Sequence, residues 1–193
     1  MKKALLLHWW EGTNTGCWFP WIKEELENKW FEVFSPNLPN TEWPIFEEQI
    51  EAIWEFAKTM WEWDVIVWHS LGCSLATQCI EKYKIKNIQV VLVAPVYPKL
   101  SEEIKEMLGK YYDTLDAYYS VSNTFEKLDN QYTIFLSDND PFITMESAKT
   151  YYNNFALQSN NSVEYKEFHN WYHFSDWAPD PIKQIPKILN YIK

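Results

Sequence analysis

Short apolar runs alternate with longer amphipathic segments along most of the chain. The short runs are rich in Val, Ile, Leu and Phe, which is typical of strands buried in a parallel sheet. The longer segments place apolar residues at helical spacing, as at Ile50, Ile53 and Ala57. The pattern predicts an α/β protein, a three-layer sandwich in which helices cover both faces of a mostly parallel central sheet.

The boundaries of the predicted elements follow from this pattern. Strands are expected at residues 3–8, 31–34, 64–67, 87–94, 132–136 and 163–168. Helices are expected at residues 19–29, 45–60, 73–83, 101–110, 145–154 and 181–192. The alternation weakens over residues 95–130, which we interpret as a small cap or a long connection. Without a repeat or a linker, we expect one domain over residues 1–193.

The third strand leads into the stretch VIVWHSLGCSLA, residues 65–76. Ser70 follows the strand, Gly72 comes two residues later, and a helical pattern begins at once. A serine at a sharp turn between strand and helix is typical of a nucleophile elbow, whose pattern is G-x-S-x-G. Trp68 stands where that pattern has its first glycine. The alternative is an ordinary serine after a buried strand.

A serine hydroxyl needs a base, and the base needs a group that orients it. In an elbow protein these follow the serine in the order acid, then histidine. Asp138 and Asp140 follow the fifth predicted strand, and we favour Asp140 because the next residue, a proline, holds it extended. A turn or helix-cap role is the alternative for either aspartate. His173, after the last strand, is the candidate base, and His169 in the same loop is its rival.

Two backbone N–H groups are needed to stabilise a developing oxyanion. We expect one from Leu71, directly after the serine, and one from Trp9 or Trp10, in the loop after the first strand. An ordinary strand–helix connection is the alternative for that loop. His8 is expected to shape the loop, and the other early histidine, His69, is interpreted as the variable position of the elbow.

Charge and cysteine content narrow the function classes. The formal net charge is −10, which argues against nucleic acid or an anionic membrane as partner. No apolar run is long enough to span a membrane. The three cysteines lack metal-ligand spacing and are odd in number, so a reducing cytoplasm is the simplest compartment. We expect no cofactor and no metal, and the sequence does not indicate an oligomeric state.

With these residues in place, the chain resembles the small serine hydrolases of the α/β-hydrolase fold that include retinoblastoma-binding protein 9 and bacterial YdeN-like proteins. The matching pieces, in family order, are LLLHWWEG, CWFPWIKEEL, SPNLPN, VIVWHSLG, VVLVAP, SDNDPF and YHF. The resemblance implies a minimal α/β-hydrolase fold with Ser70, Asp140 and His173 as catalytic triad. It also implies carboxylesterase-like hydrolysis of a small ester, thioester or amide without a cofactor. An acyltransferase would use the same serine, and a non-catalytic binding protein would result if Trp68 and Trp9 block the site.

Tryptophan is in surplus and glycine is scarce. The chain has 12 Trp and 4 Gly, whereas about 7% glycine is usual. The family that the chain resembles usually has glycine at the positions of Trp9 and Trp68, and often at the position of Trp30. We hypothesise that these tryptophans, and further Trp61 and Trp171, are glycines in the natural protein, encoded by UGA. UGG codons at positions 9 and 68 would end this hypothesis.

Overall fold

Six strands and five α-helices make up the described part of the chain. A computed structural model describes residues 1–8, 10–96, 105–107, 109–113, 115, 118, 128–159, 161–176 and 178–193. The strands are β1 (Lys2–Leu7), β2 (Phe31–Phe34), β3 (Val65–His69), β4 (Gln89–Val93), β5 (Gln131–Ser137) and β6 (Ser162–Phe168). The helices are α1 (Phe19–Asn28), α2 (Phe46–Ala57), α3 (Leu71–Tyr83), α4 (Lys110–Asp113) and α5 (Met145–Ser159), followed by a 3₁₀-helix (Pro186–Tyr191).

The strands form a single sheet in the order β2-β1-β3-β4-β5-β6. Each of the described strand pairings is parallel, which confirms the predicted sheet. The central strands β3 and β4 are buried along their whole length, as expected for strands covered on both faces. Because the carboxyl ends of parallel strands meet at one edge, the loops that follow them lie together there.

Strand residues alternate between two apolar cores. Val65 and Val67 point towards α1 and the 3₁₀-helix, whereas Ile66 and Trp68 point towards α2, α3 and α5. This alternation is the period-two pattern of a strand. Helices therefore cover both faces, and the three-layer architecture is as predicted.

The closing helix differs from the prediction. A helix was expected over residues 181–192, but the structure has a 3₁₀-helix that begins only at Pro186. A proline lacks the N–H that an interior helical position donates, and its ring collides with the carbonyl four residues earlier. Pro186 is tolerated only in the first turn, so the helix cannot extend back to residue 181.

The predicted cap or connection at residues 95–130 lies largely outside the described residues. Of the predicted helix at 101–110, residues 105–107 and 110 are described and are helical. Within residues 95–130 the structure describes the short helix α4. Among the described helices, none is long and apolar enough to cross a membrane.

Trp30 occupies a backbone conformation that favours glycine. It follows the C-cap of α1 with φ at 65°, and its side chain is 82% exposed. We expect Trp30→Gly to raise the free energy of unfolding by about 1 kcal/mol, because a left-handed residue with a Cβ is strained. Urea unfolding measures this. Trp61→Gly is the matched control, since Trp61 is 73% exposed without a positive φ; equal effects of the two changes would contradict the prediction.

Burial of Cys79 predicts a loss of stability at alkaline pH. Desolvation raises the pKa of the Cys79 thiol to about 12, whereas an unfolded thiol ionises near pH 8.5. The contribution of the buried thiol to the free energy of unfolding is therefore complete below about pH 8.5, and it is lost progressively as pH rises towards 12. Between these limits Cys79→Ala should flatten the decline by up to about 1.4 kcal/mol per pH unit. Urea unfolding from pH 8 to pH 10.5 measures both slopes, and parallel curves would refute the effect.

Candidate active site

Ser70 lies at the sharp turn between β3 and α3. Its backbone has φ 53° and ψ −123°, a conformation that costs a non-glycine residue about 1–3 kcal/mol. Backbone hydrogen bonds hold the turn. The Ser70 N–H donates to the Val93 carbonyl at 2.9 Å, and the Ser70 carbonyl accepts the Cys73 N–H at 3.0 Å. This strand–turn–helix geometry is that of a nucleophile elbow.

Gly72 lets α3 approach the end of β1. A Cβ on Gly72 would lie 2.8 Å from the carbonyl oxygen of His8 and 3.3 Å from that of Leu7. Both are backbone atoms at the end of a strand, so neither can rotate away. A residue without a side chain is required two positions after the serine.

We expect Gly72→Ala to lower the free energy of unfolding by about 1–3 kcal/mol, because a strand end or a helix start must shift to relieve the contact. The shift also separates the Leu71 amide from the loop after β1. Urea unfolding measures the destabilisation, with Lys82→Ala on the solvent side of α3 as control. Wild-type stability in Gly72→Ala would contradict the packing described here.

The structure brings Ser70, His173 and Asp140 together. The Ser70 hydroxyl donates to Nε2 of His173 at 2.7 Å, and Nδ1 of His173 donates to Oδ2 of Asp140 at 2.8 Å. The side chains of His173 and Asp140 are only 6% and 2% exposed. A chain of hydrogen bonds from hydroxyl to imidazole to carboxylate is the arrangement that activates a serine.

Asp140 is held from its other side as well. Its Oδ1 accepts the backbone N–H groups of Phe142, at 2.9 Å, and Ile143, at 3.3 Å. These two amides leave Oδ2 to face the imidazole of His173. The Phe142 ring meets that imidazole edge-on, with ring centroids 4.7 Å apart, and limits its rotation.

Asp138 and His169 form a separate pair outside this chain of bonds. Nδ1 of His169 lies 2.5 Å from Oδ2 of Asp138, and the His169 side chain is 82% exposed. The N–H of Asn170 donates to Asp138 Oδ1 at 2.9 Å. That bond, together with His169, lowers the pKa of Asp138 below its ordinary value. The two aspartates thus have different histidine partners.

Two polar residues between and beside the aspartates join the same two loops. The Ser137 hydroxyl accepts the Trp171 N–H at 2.9 Å, and Oδ1 of Asn139 accepts the Tyr172 N–H at 2.8 Å. All four side chains of the run Ser137–Asp140 therefore bond to the loop 169–173. We call this set of contacts the loop clasp. Ser137 and Asn139 were not predicted from the sequence, although a run of four consecutive side chains that can form hydrogen bonds, directly after a strand, was a signal for them.

The predicted oxyanion residues are only partly described. Leu71 is the first residue of α3, so its N–H has no acceptor within the helix and lies next to Ser70. The Trp10 indole N–H donates to the Glu42 carbonyl at 2.9 Å, which holds the loop after β1. Nε2 of His8 accepts the Leu38 N–H at 3.0 Å, so His8 shapes this region. Trp9 lies outside the described residues, and the oxyanion role of all three candidates stays a prediction.

Trp68 does not separate the proposed catalytic groups. Its side chain is fully buried in the core between the sheet and α2 and α3. The bond between Ser70 and His173 is complete with Trp68 in place. The Trp68 indole N–H has no hydrogen-bond partner among the described residues, which costs about 1–3 kcal/mol in a buried site.

The cysteines are poor alternative nucleophiles. Cys17, Cys73 and Cys79 are free and buried, and burial raises the pKa of each thiol. A thiol reacts as its thiolate, so these three are unreactive near neutral pH. The described residues also contain no group of three His, Cys, Asp or Glu side chains that could hold a metal ion.

Comparisons with known proteins identify the fold and the family of this chain. The chain is 27% identical to YdeN of Bacillus subtilis over 86 residues, which span 45% of each chain. The crystal structure of the B. subtilis ydeN gene product superimposes with a TM-score of 0.76 at 20% identity, covering 98% of this chain and 96% of that one. A monoacylglycerol lipase of Paleococcus ferrophilus superimposes with a TM-score of 0.63 at 14% identity, covering 92% and 88%.

These similarities are to proteins of the α/β-hydrolase fold, in agreement with the parallel sheet and the elbow. The profile of the serine hydrolase family matches residues 4–177. That range contains the elbow and both loops of the loop clasp. The chain therefore belongs to the serine hydrolase family.

Proposed function

We propose that the chain is a carboxylesterase-like hydrolase that cleaves a small ester, thioester or amide through an acyl-enzyme on Ser70. The observation that carries the proposal is the buried chain of hydrogen bonds from Ser70 through His173 to Asp140. A serine hydroxyl is a weak nucleophile unless a positioned base removes its proton. The monoacylglycerol lipase that shares this fold is, by its name, an ester hydrolase, which supports an ester-type substrate.

The proposed reaction has two halves. Ser70 Oγ bonds to the acyl carbon while its proton moves to Nε2 of His173, and the carbonyl oxygen becomes an oxyanion. The carbonyl re-forms as the bond to the leaving group breaks, and the leaving group takes the proton from His173. A water then attacks the acyl-enzyme by the same route, giving the free acid and restoring Ser70.

Stabilisation of the oxyanion is assigned to the start of α3 and the loop after β1. The Leu71 N–H would supply one donor, and a backbone N–H of Trp9 or Trp10 the other. Asp140 would keep the proton of neutral His173 on Nδ1, so that Nε2 faces Ser70, and would stabilise the imidazolium that forms. None of these steps needs a cofactor.

The net charge and the free thiols support a substrate class and a cellular compartment for the proposed hydrolase. A chain with net charge −10 is proposed to act on a small molecule rather than on nucleic acid or a membrane surface. Three free thiols fit a reducing compartment such as the cytoplasm.

Labelling with a fluorophosphonate probe tests the proposal, because the probe reacts with serines that have an assembled base. We expect an adduct on Ser70, located by peptide mass, and no adduct in Ser70→Ala. Ser74→Ala is the matched control: it removes a hydroxyl one helical turn away, and Ser70 should still be labelled. Absence of an adduct in the wild-type chain would overturn the hydrolase proposal and favour the binding protein.

Turnover distinguishes hydrolysis from acyl transfer. With p-nitrophenyl acetate, a hydrolase releases nitrophenol at a steady rate in water alone. An acyltransferase instead gives one burst and continues only when an added alcohol or amine accepts the acetyl group. A burst without turnover would contradict the proposed hydrolase while leaving Ser70 as the nucleophile.

A further inference from the structure

His69 contacts the backbone of the proposed base. It was interpreted from the sequence only as the variable position of the elbow, yet its ring is fully buried beside His173, with ring centroids 5.1 Å apart. Nε2 of His69 lies 2.7 Å from the carbonyl oxygen of His173. A carbonyl can only accept, so Nε2 carries the proton and donates it.

Trp18 makes a second bond of the same kind one residue further on. Its indole N–H donates to the Phe174 carbonyl at 2.9 Å. The Trp18 and His69 rings also meet edge-on, with centroids 5.9 Å apart. We call residues 169–174, which contain the proposed base, the base loop. Two ring N–H groups, one from the residue before α1 and one from β3, thus hold consecutive carbonyls of this loop.

The base loop requires such anchors because its backbone is strained. Tyr172 and Phe174, on either side of His173, have φ values of 49° and 54°. The left-handed region is unfavourable for residues with a Cβ, by roughly 1–3 kcal/mol each. Surrounding contacts must over-determine such a conformation for it to persist.

The two sides of the loop are held by different partners. The loop clasp binds the N–H groups of Trp171 and Tyr172 from the β5 side. His69 and Trp18 bind the carbonyls of His173 and Phe174 from the side of β3 and α1. The backbone of the base is therefore bound from two directions.

His69 is suited to this role because it stays neutral. Burial, and then the proximity of His173 and His8, lower the pKa of His69 well below its ordinary value. A neutral His69 keeps a single N–H on Nε2 and adds no second charge when His173 takes the proton of Ser70.

We infer that His69 and Trp18 are positioning residues, which bind the carbonyls of His173 and Phe174 and thereby hold the imidazole in line with Ser70. The inference rests on the proposed function, since it explains how the proposed base is held. Misplacement of a catalytic group by about 1 Å can slow a reaction roughly 100-fold. Loss of one anchor should therefore appear in kcat more than in KM.

Three variants test the inference with p-nitrophenyl acetate as substrate. His69→Phe keeps a ring but removes the donor, and we expect kcat to fall roughly 10- to 100-fold with KM within about threefold. His69→Gln can place its amide N–H where Nε2 of histidine lies, so kcat should stay within about fivefold of wild type. Trp18→Phe removes the other donor, and kcat should fall about tenfold.

Thermal unfolding of each variant separates positioning from general stability. The inference requires kcat to follow the presence of the donor when His69→Phe and His69→Gln have similar melting temperatures. Equal kcat in these two variants would overturn it. If His69→Phe does not fold, Trp18→Phe decides alone, and wild-type kcat in that variant would overturn it.

A failure of the proposed function can be distinguished from a failure of the positioning role. If the wild-type chain shows neither turnover nor a probe adduct on Ser70, the proposed function fails before any variant is compared. If the wild type is active and removal of a donor changes nothing, the proposed function stands and only the positioning role is lost.

Discussion

His173→Ala is expected to reduce kcat for ester hydrolysis by about 10⁴-fold or more. Without the imidazole, the Ser70 proton has no acceptor at 2.7 Å, and the leaving group has no proton donor. The measurement is steady-state hydrolysis of p-nitrophenyl acetate, together with the rate of labelling of Ser70 by the fluorophosphonate.

His169→Ala is the matched control for this change. His169 lies in the same loop but is exposed and bonds to Asp138, so its removal should leave kcat within about threefold of wild type, as expected for a surface side chain away from the reacting atoms. A large loss in His169→Ala with activity retained in His173→Ala would show that the rival histidine is the base.

The second large effect is expected from Asp140→Asn, at about 10⁴-fold in kcat. An asparagine keeps the shape of the side chain and can still accept the N–H groups of Phe142 and Ile143. Its amide would then face Nδ1 of His173 as a donor and favour the wrong tautomer of the imidazole. KM should change little, because the carboxylate acts through the base.

Asp138→Asn is the control, since its oxygen can still accept the Asn170 N–H. We expect its kcat to stay within about threefold of wild type, because its histidine partner is exposed and outside the proposed catalytic chain. Comparable losses in the two variants would mean that the loop conformation, rather than the individual carboxylate, determines activity.

The sheet could be predicted because each strand has a recognisable local sequence pattern. The apolar runs at β3 and β4 are typical of buried parallel strands, and the alternation with helices excludes most other arrangements. The closing helix was predicted to begin too early, because a proline such as Pro186 restricts where a helix can begin.

The candidate site residues could be named from the sequence, with Asp140 and His173 favoured, but their pairing does not follow from chain order. Asp138 and Asp140 both follow β5, and His169 and His173 both follow β6, so chain order alone allows either pair to face Ser70. The structure decides through the loop clasp, in which Asp138 bonds to His169 and Asn170, whereas Asp140 bonds to His173. No local sequence pattern contains that pairing.

The contribution of His69 was beyond sequence reasoning for a related reason. Its partner, the carbonyl of His173, is 104 positions away along the chain. Every residue has a backbone carbonyl, so the sequence does not indicate which one accepts a hydrogen bond. The position of the Trp68 side chain depends on packing that the sequence does not show. It lies in the core that β3 shares with α2 and α3.

The loop clasp has a consequence for how binding energy can be used. It joins the loop of the proposed base to the loop of the proposed acid through four side chains, so the imidazole of His173 loses its rotational freedom during folding. A substrate of the proposed hydrolase would then not need to supply free energy to order the base. Its contacts would instead discriminate among acyl groups, and substitutions that change those contacts would alter selectivity while the proposed catalytic geometry is kept.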